Sequence, residues 1–502
     1  MKEETKKQLD YMLKTLEKAG VYDHAGHIVQ FDMETACPRD AMEEQADLVA
    51  YLNNQVFKLT HTKAFIAAVD HLHAHEEELS VHEKAMVDSF YRMFRRTRDI
   101  PASVDHKINK VFNKAYVDWI KAKEAADYSL FEPSLKAVRE AELKKMEYIH
   151  DRKERPYDEL LDLFEPGMTQ EVLDDCFAAC TERLLPLLAK IRKSPKKIRT
   201  DFLYREVPDT AQAEMSRYLM DLLGYDFNRG MFTTTEHPFT DSLGRKDTRI
   251  TTHYDPHHFI SSMYSIIHET GHALFDMFSP DAEWDYHYHE EKSMGQHESV
   301  SRFYENIVGR SRAFTDLIYD KTCEIFPTAM KGVSPDEFYE GINMVEPSLV
   351  RTEADEFTYV FHIIIRYEME KLIVNEKADI RKLPLLWKEK YEHYLGVTPG
   401  NDAEGILQDV HWTSGFGYFP TYALGNFYNA MYYNRMKKEL DVPGLIAKGQ
   451  IPVINHWMEE NVWKNAARLD ADPWIREITG RSLDPTDFLD YLENKYGQIY
   501  GL

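Results

Sequence analysis

Residues 263–278 read Met263-Tyr-Ser-Ile-Ile-His268-Glu269-Thr-Gly-His272-Ala-Leu-Phe-Asp276-Met-Phe278. Apolar Ile266, Ile267, Ala273, Leu274 and Phe275 flank the polar residues, as expected of a helix that holds a polar patch inside a core. His268 and His272 are four apart, and positions i and i+4 of a helix lie one turn apart on one face. Two imidazoles so placed can bind one Zn2+ at about 2.0–2.1 Å. Glu269 is rotated about 100° around the helix, so it reaches a water beside the ion without ligating it. This is the H-E-x-x-H arrangement of metal-dependent peptidases.

The motif alone is not decisive. With 22 His in 502 residues, chance placement produces it about once in ten chains of this size. A catalytic site also needs a third protein ligand and an open position for water. Glu298, in Gly295-Gln296-His297-Glu298-Ser299-Val300-Ser301-Arg302, is expected to open a further helix and would complete a His2Glu set. Glu290 and Glu291 are nearer to His272 but lie in the charged connection Tyr288 to Lys292. His297 is as readily a partner of a ligand, or substrate-facing, as a ligand itself.

Outward from this helix most of the chain carries helical periodicity. Leu9, Met12, Leu13 and Leu16 recur at helical spacing, with Gly20 as an expected stop. Similar patterns lie around 80–97, 105–125, 129–150, 170–192, 210–223, 300–322, 355–375 and 425–440, separated by short breaks such as Glu165-Pro166-Gly167. Phe232 to Glu236 and Asp247 to Thr252 are β-branched and flank a turn-like Asp241-Ser-Leu-Gly244, which predicts a small antiparallel sheet just before the motif. No low-complexity linker or solenoid-period repeat interrupts the chain. The expected organisation is one mainly α peptidase domain over 1–502, with an N-terminal helical region over 1–200, the motifs in 230–425 and terminal helices in 426–502.

The formal charge of −24 argues against a nucleic-acid binder and against a polybasic hold on lipid. Hydrophobic residues at 43% and charged residues at 29% suit a folded soluble protein rather than a disordered one. The start Met1-Lys-Glu-Glu-Thr-Lys-Lys has no apolar stretch behind it, so no secretory leader is expected. Cys37, Cys176, Cys180 and Cys323 are too few and scattered for a disulfide framework, and no apolar run is long enough for a membrane span. These features point to the cytoplasm.

Five further elements lie around the motif. They are His237-Pro238-Phe239, Asp247-Thr248-Arg249-Ile250-Thr251, His297-Glu298-Ser299, Val350-Arg351-Thr352-Glu353-Ala354-Asp355, and Gly405-Ile406-Leu407-Gln408-Asp409-Val410-His411-Trp412. In this order they resemble the HPF, D-x-R-x-T, H-E-S, I/V-R-x-x-A-D and G-x-x-Q-D-x-H-W elements of the M32 family of metallocarboxypeptidases. The resemblance implies a large helical body split by a deep central cleft with the metal at its floor, similar to the wider helical H-E-x-x-H peptidases with a third Glu ligand. It implies a homodimer that removes single residues from the C-terminus of peptides with broad selectivity, using zinc (Zn2+, one per chain) or cobalt (Co2+). By position it carries over His268, His272 and Glu298 as ligands and Glu269 as the catalytic carboxylate.

The remaining chemistry asks for more groups. A tetrahedral oxyanion needs donors beyond the metal. His411, with Tyr418 or Tyr422 in Gly417-Tyr418-Phe419-Pro420-Thr421-Tyr422, is the candidate set, and Asp409 is placed to orient the His411 ring. A free terminal carboxylate suits a bidentate guanidinium. Arg351 is preferred, Arg249 is the alternative, and Glu353 or Asp355 competes for Arg351. Arg249 lies on an expected strand that can also bind peptide backbone, and His237 can line the same wall. Asp276 is a candidate partner of His272. Four residues after Glu298, where some related peptidases carry a carboxylate to support the first His, this chain has Arg302. Two other readings are an oligopeptide endopeptidase of the same mechanism and a non-catalytic helical metal-binding protein.

Overall fold

The computed structural model describes residues 1–375 and 378–502, and helices make up most of it. The first helix, Glu3–Thr35, does not stop at Gly20 as its local pattern predicts. A glycine inside a helix costs about 0.5–1 kcal/mol relative to alanine, and packing on both sides of it outweighs that cost. Leu9, Met12 and Leu16 enter a small hydrophobic cluster with Phe65, Val69, Met86 and Phe94. Beyond Gly20, Phe31 meets Phe239 edge to face, with centroids 5.9 Å apart. A much larger cluster gathers the side chains of residues 115–500 and includes the motif helix. Among the described residues no helix is long and apolar enough to cross a membrane.

The predicted small sheet is present, but it is mixed rather than antiparallel. β1 (Phe232–Thr234), β2 (Thr240–Gly244) and β3 (Asp247–Thr252) lie in the order β1-β3-β2. β2 and β3 form an antiparallel hairpin that pairs Thr240 with Ile250 and Asp241 with Arg249. β1 runs parallel to β3 on its other edge, pairing Phe232 with Ile250. Asp241 to Gly244 is therefore a strand, and the turn falls after it. The connection from β1 crosses the end of β3, where the Phe239 amide and the Thr235 hydroxyl both donate to the Thr251 hydroxyl, at 2.9 and 2.8 Å. Period-2 patterning finds strands but carries no information on which edge a strand joins.

Two helices set the site. The motif helix spans Phe259–Met277. The second, Met294–Arg302, opens on a capping box between Ser293 and Gln296, so Glu298 lies inside it rather than at its start. A π-helical segment, Phe303–Gly309, continues it without a break. These elements meet at glycines. A Cβ on Gly271 would lie 2.7 Å from the Ser301 Cα, and one on Gly425 would lie 2.8 Å from the Glu298 Cγ. Alanine at either place forces the segment carrying Glu298 to shift. We predict that Gly271→Ala lowers stability by about 1–3 kcal/mol, the usual cost of overpacking, as read by chemical denaturation. Unchanged stability would mean that these helices separate freely.

Candidate active site

Each imidazole of the motif helix is held from behind by a partner on the second helical run. His268 Nδ1 faces the Glu305 carboxylate at 2.8 Å. His272 Nδ1 faces His297 Nδ1 at 2.8 Å, and His297 Nε2 in turn faces Asp276 at 3.2 Å. Both Nε2 atoms are left pointing at one oxygen, Glu298 Oε2, at 3.6 and 3.7 Å. All three donor atoms lie within 4.8 Å of one another. Ligands about 2.05 Å from a tetrahedral ion sit about 3.4 Å apart, so the set fits one small dication with little adjustment. The other Glu298 oxygen accepts from Arg302 Nε at 2.7 Å. The His268 and His272 side chains are 18% and 19% exposed, enough for a ligand to reach them from solvent.

Proton positions follow from this geometry. A His272 that ligates through Nε2 carries its proton on Nδ1 and donates it to His297 Nδ1. The remaining proton of His297 is then on Nε2 and goes to Asp276. Burial and the neighbouring His268 and His297 hold His272 well below its ordinary pKa, in the neutral form a metal needs. Burial works to raise Glu305 and Asp276, but the hydrogen-bond donors and positive groups facing them overcome it. Arg302, His268 and Arg310 hold Glu305 well below the carboxylate range, and Lys292 and His297 do the same for Asp276. Glu269 differs: burial pushes its carboxyl up, only partly offset by His268 and by the Thr240 hydroxyl.

Thr240, at the start of β2, donates its hydroxyl to Glu269 Oε2 at 2.7 Å, and Ser242 of the same strand donates to Asp276 at 3.0 Å. The sheet therefore orients the Glu269 carboxylate and the far end of the histidine chain. The sequence alone did not single out Thr240, because the contact joins two elements. Glu305 was also missed, although it had a signal. It lies seven residues, or two turns, beyond Glu298, which returns it to the same face. The position four residues on is Arg302, which instead bridges Glu298 and Glu305. Asp276 does support His272, but through His297 rather than directly.

A second group of side chains faces the ligand set. His411 Nε2 lies 3.4 Å from the Tyr422 hydroxyl, and its buried Nδ1 has no partner among the described residues. Tyr418 packs edge-on against Tyr422, with centroids 5.3 Å apart. Burial raises both tyrosines, so their hydroxyls stay protonated, and it pushes His411 down to about 4, so that ring is neutral. Asp409 does not hydrogen-bond His411 as anticipated. Its oxygens hold Arg351 Nε at 3.0 Å and Arg366 Nε at 2.7 Å. Arg351 therefore pairs with Asp409, not with Glu353 or Asp355, and its guanidinium lies 4.9 Å from the Tyr422 ring centre. Arg249 is placed differently. Asp247 takes its fork at 2.9 and 2.7 Å, and Phe31 lies under it. His237 is exposed on the loop after β1.

A buried His-His-Glu set beside a desolvated carboxylate, on a mainly helical body, defines the class: a metallopeptidase. The family described as "Carboxypeptidase Taq (M32) metallopeptidase" matches residues 11–496. The chain is 38% identical to Carboxypeptidase 1 of Bacillus subtilis (strain 168), covering 97% of each chain. It is 32% identical to Thermostable carboxypeptidase 1 of Pyrococcus furiosus, covering 94% of this chain and 95% of that one. The crystal structure of an M32 carboxypeptidase from Deinococcus radiodurans R1 superposes with a TM-score of 0.94 at 30% identity, covering 99% of this chain and 100% of that one. The chain belongs to the M32 family of metallocarboxypeptidases, enzymes that hydrolyse peptides and require a divalent metal ion.

Removing the rear partner of a metal-bound histidine typically costs about 10–100-fold in metal affinity. We therefore predict that Glu305→Gln and His297→Leu each weaken metal binding by about that factor, as measured by competition with a chelator. Unchanged affinity in both variants would mean that the imidazoles are held by packing alone.

Proposed function

We propose that the enzyme releases single C-terminal residues from peptides with broad side-chain selectivity, using one Zn2+ held by His268, His272 and Glu298, a set that also accepts Co2+. The observation that carries this reading is the convergence of two Nε2 atoms on one oxygen of Glu298. Zinc at this place supplies the Lewis acidity that polarises the scissile carbonyl and acidifies a water.

The chain's own residues do the rest. Glu269, desolvated and oriented by Thr240, takes a proton from the attacking water as the new C–O bond forms. It hands that proton to the nitrogen as the C–N bond breaks. The hydroxyls of Tyr418 and Tyr422 stay protonated, with the neutral ring of His411 beside them. They donate to the oxyanion without themselves carrying charge. Arg351 takes the substrate's terminal carboxylate. It is favoured over Arg249 because Asp247 takes both Nε and Nη2 of Arg249, whereas Asp409 takes only Nε of Arg351, whose guanidinium lies against the Tyr422 ring. Arg249 and His237 serve the wall of the cleft around the sheet.

The whole chain acts as one peptidase domain, working in the cytoplasm as a homodimer.

Two tests follow. Glu269→Gln should keep its full complement of about one Zn per chain while turnover falls about 10^2–10^4-fold. Normal turnover in that variant removes Glu269 from the reaction. Mass spectrometry of a peptide with a free C-terminus should show a ladder of single-residue losses that disappears when the C-terminus is amidated. Internal fragments from the amidated peptide would instead make the enzyme an endopeptidase.

A further inference from the structure

Arg302, which holds Glu298, and Arg351, the arginine assigned to the carboxylate, come from different elements, and one buried side chain touches both. Tyr359 begins the helix Tyr359–Val374 and is 4% exposed. The Arg302 guanidinium lies over its ring, 4.2 Å from the centroid. Arg302 is the residue that donates to Glu298 Oε1 and to Glu305. At the opposite end of the ring the Tyr359 hydroxyl accepts from Arg351 Nη1 at 3.3 Å. Arg351 is also held by Asp409, which it shares with Arg366, and its guanidinium lies over the Phe419 and Tyr422 rings. Tyr359 is thus the direct link between the cation that holds Glu298 and the cation that faces Tyr422.

We propose that Tyr359 is a positioning residue that sets the distance from the metal-ligating carboxylate Glu298 to Arg351, and so decides that cleavage falls one residue from a free carboxylate. The inference rests on the reading that Arg351 binds that carboxylate. One residue spans about 3.8 Å between successive Cα atoms. An anchor for a terminal carboxylate must therefore stand at one short, fixed offset from the ion. An arginine on a flexible stem loses rotamer freedom to hold such an offset and does not keep it unaided. The rigid ring supplies the offset with two separable contacts. Its face carries Arg302 by a cation–π interaction, which strengthens when desolvated, and its oxygen carries Arg351.

The separation makes the test specific. Tyr359→Phe keeps the packed ring and removes only the oxygen. The purified zinc enzyme should then show a KM for a free-carboxylate peptide raised about five- to twenty-fold. Its kcat should stay within about two-fold, and its metal affinity by chelator competition should be unchanged. Tyr359→Leu removes the ring as well, and should lower metal affinity in addition. Thermal unfolding checks that each variant is folded, and Tyr359→Phe alone decides the matter if Tyr359→Leu is not. An unchanged KM in Tyr359→Phe, alongside a raised KM in Arg351→Ala, overturns the role given to Tyr359 and leaves Arg351 standing. An unchanged KM in Arg351→Ala overturns the reading beneath it. Equal loss of metal affinity in Tyr359→Phe and Tyr359→Leu also overturns the proposal, because the hydroxyl would then serve the ligands rather than the anchor.

Discussion

One oxygen of Glu298 faces two imidazoles of a neighbouring helix, and the remaining chemistry of the site is arranged around that contact. It exists because two glycines, Gly271 and Gly425, let three helices approach until there is no room for a methyl group beside Glu298 and Ser301. The approach is structural, but its product is chemical. It places a carboxylate about a tetrahedral edge away from each nitrogen, in a region where an uncompensated charge is expensive. Breaking one partner out of a buried ion pair costs about 3–5 kcal/mol. Arg302 supplies part of that compensation from behind, through Glu298 Oε1.

The same reasoning extends through the buried network. Glu305 and Asp276 are anions placed behind the two histidines, and each has its own cations: Arg302 and Arg310 for the first, Lys292 for the second. Among the described residues Glu269 has no cationic side chain paired with it, only the Thr240 hydroxyl. That difference separates the carboxylates held by cations from the one left to burial. A carboxylate fixed by arginine stays ionised. One left to desolvation rises toward the range in which it can accept and return a proton. The two histidines are also supported unequally. His268 leans on an anion directly, whereas His272 leans on the His297 imidazole, which passes the contact on to Asp276.

Much of this was legible in residues close together in the chain. The i, i+4 histidines, the intervening carboxylate and the apolar flanks of the motif helix all follow from helical period. Local signals misled where distant packing decided the outcome. Gly20 reads as a stop, yet the helix continues because residues on both sides of it are buried. The Thr-rich stretches read as a hairpin, yet the first of them joins the far edge of β3. Asp409 sits beside His411 in sequence but serves two arginines, Arg351 and Arg366, which lie more than forty positions earlier. Glu305 was hidden for a different reason: a supporting carboxylate is expected one turn after Glu298, and here it lies two turns on, in a π-helical segment.

By itself the sequence determined the helical class, the paired histidines and intervening carboxylate of the motif helix and the family resemblance, because each depends on spacing within one element or on order along the chain. Only the tertiary structure decided which groups stand behind the paired histidines, which carboxylate holds Arg351, and that Thr240 meets Glu269 and Tyr359 meets Arg351. Those are contacts between elements brought together by packing, and neither helical nor strand period encodes them.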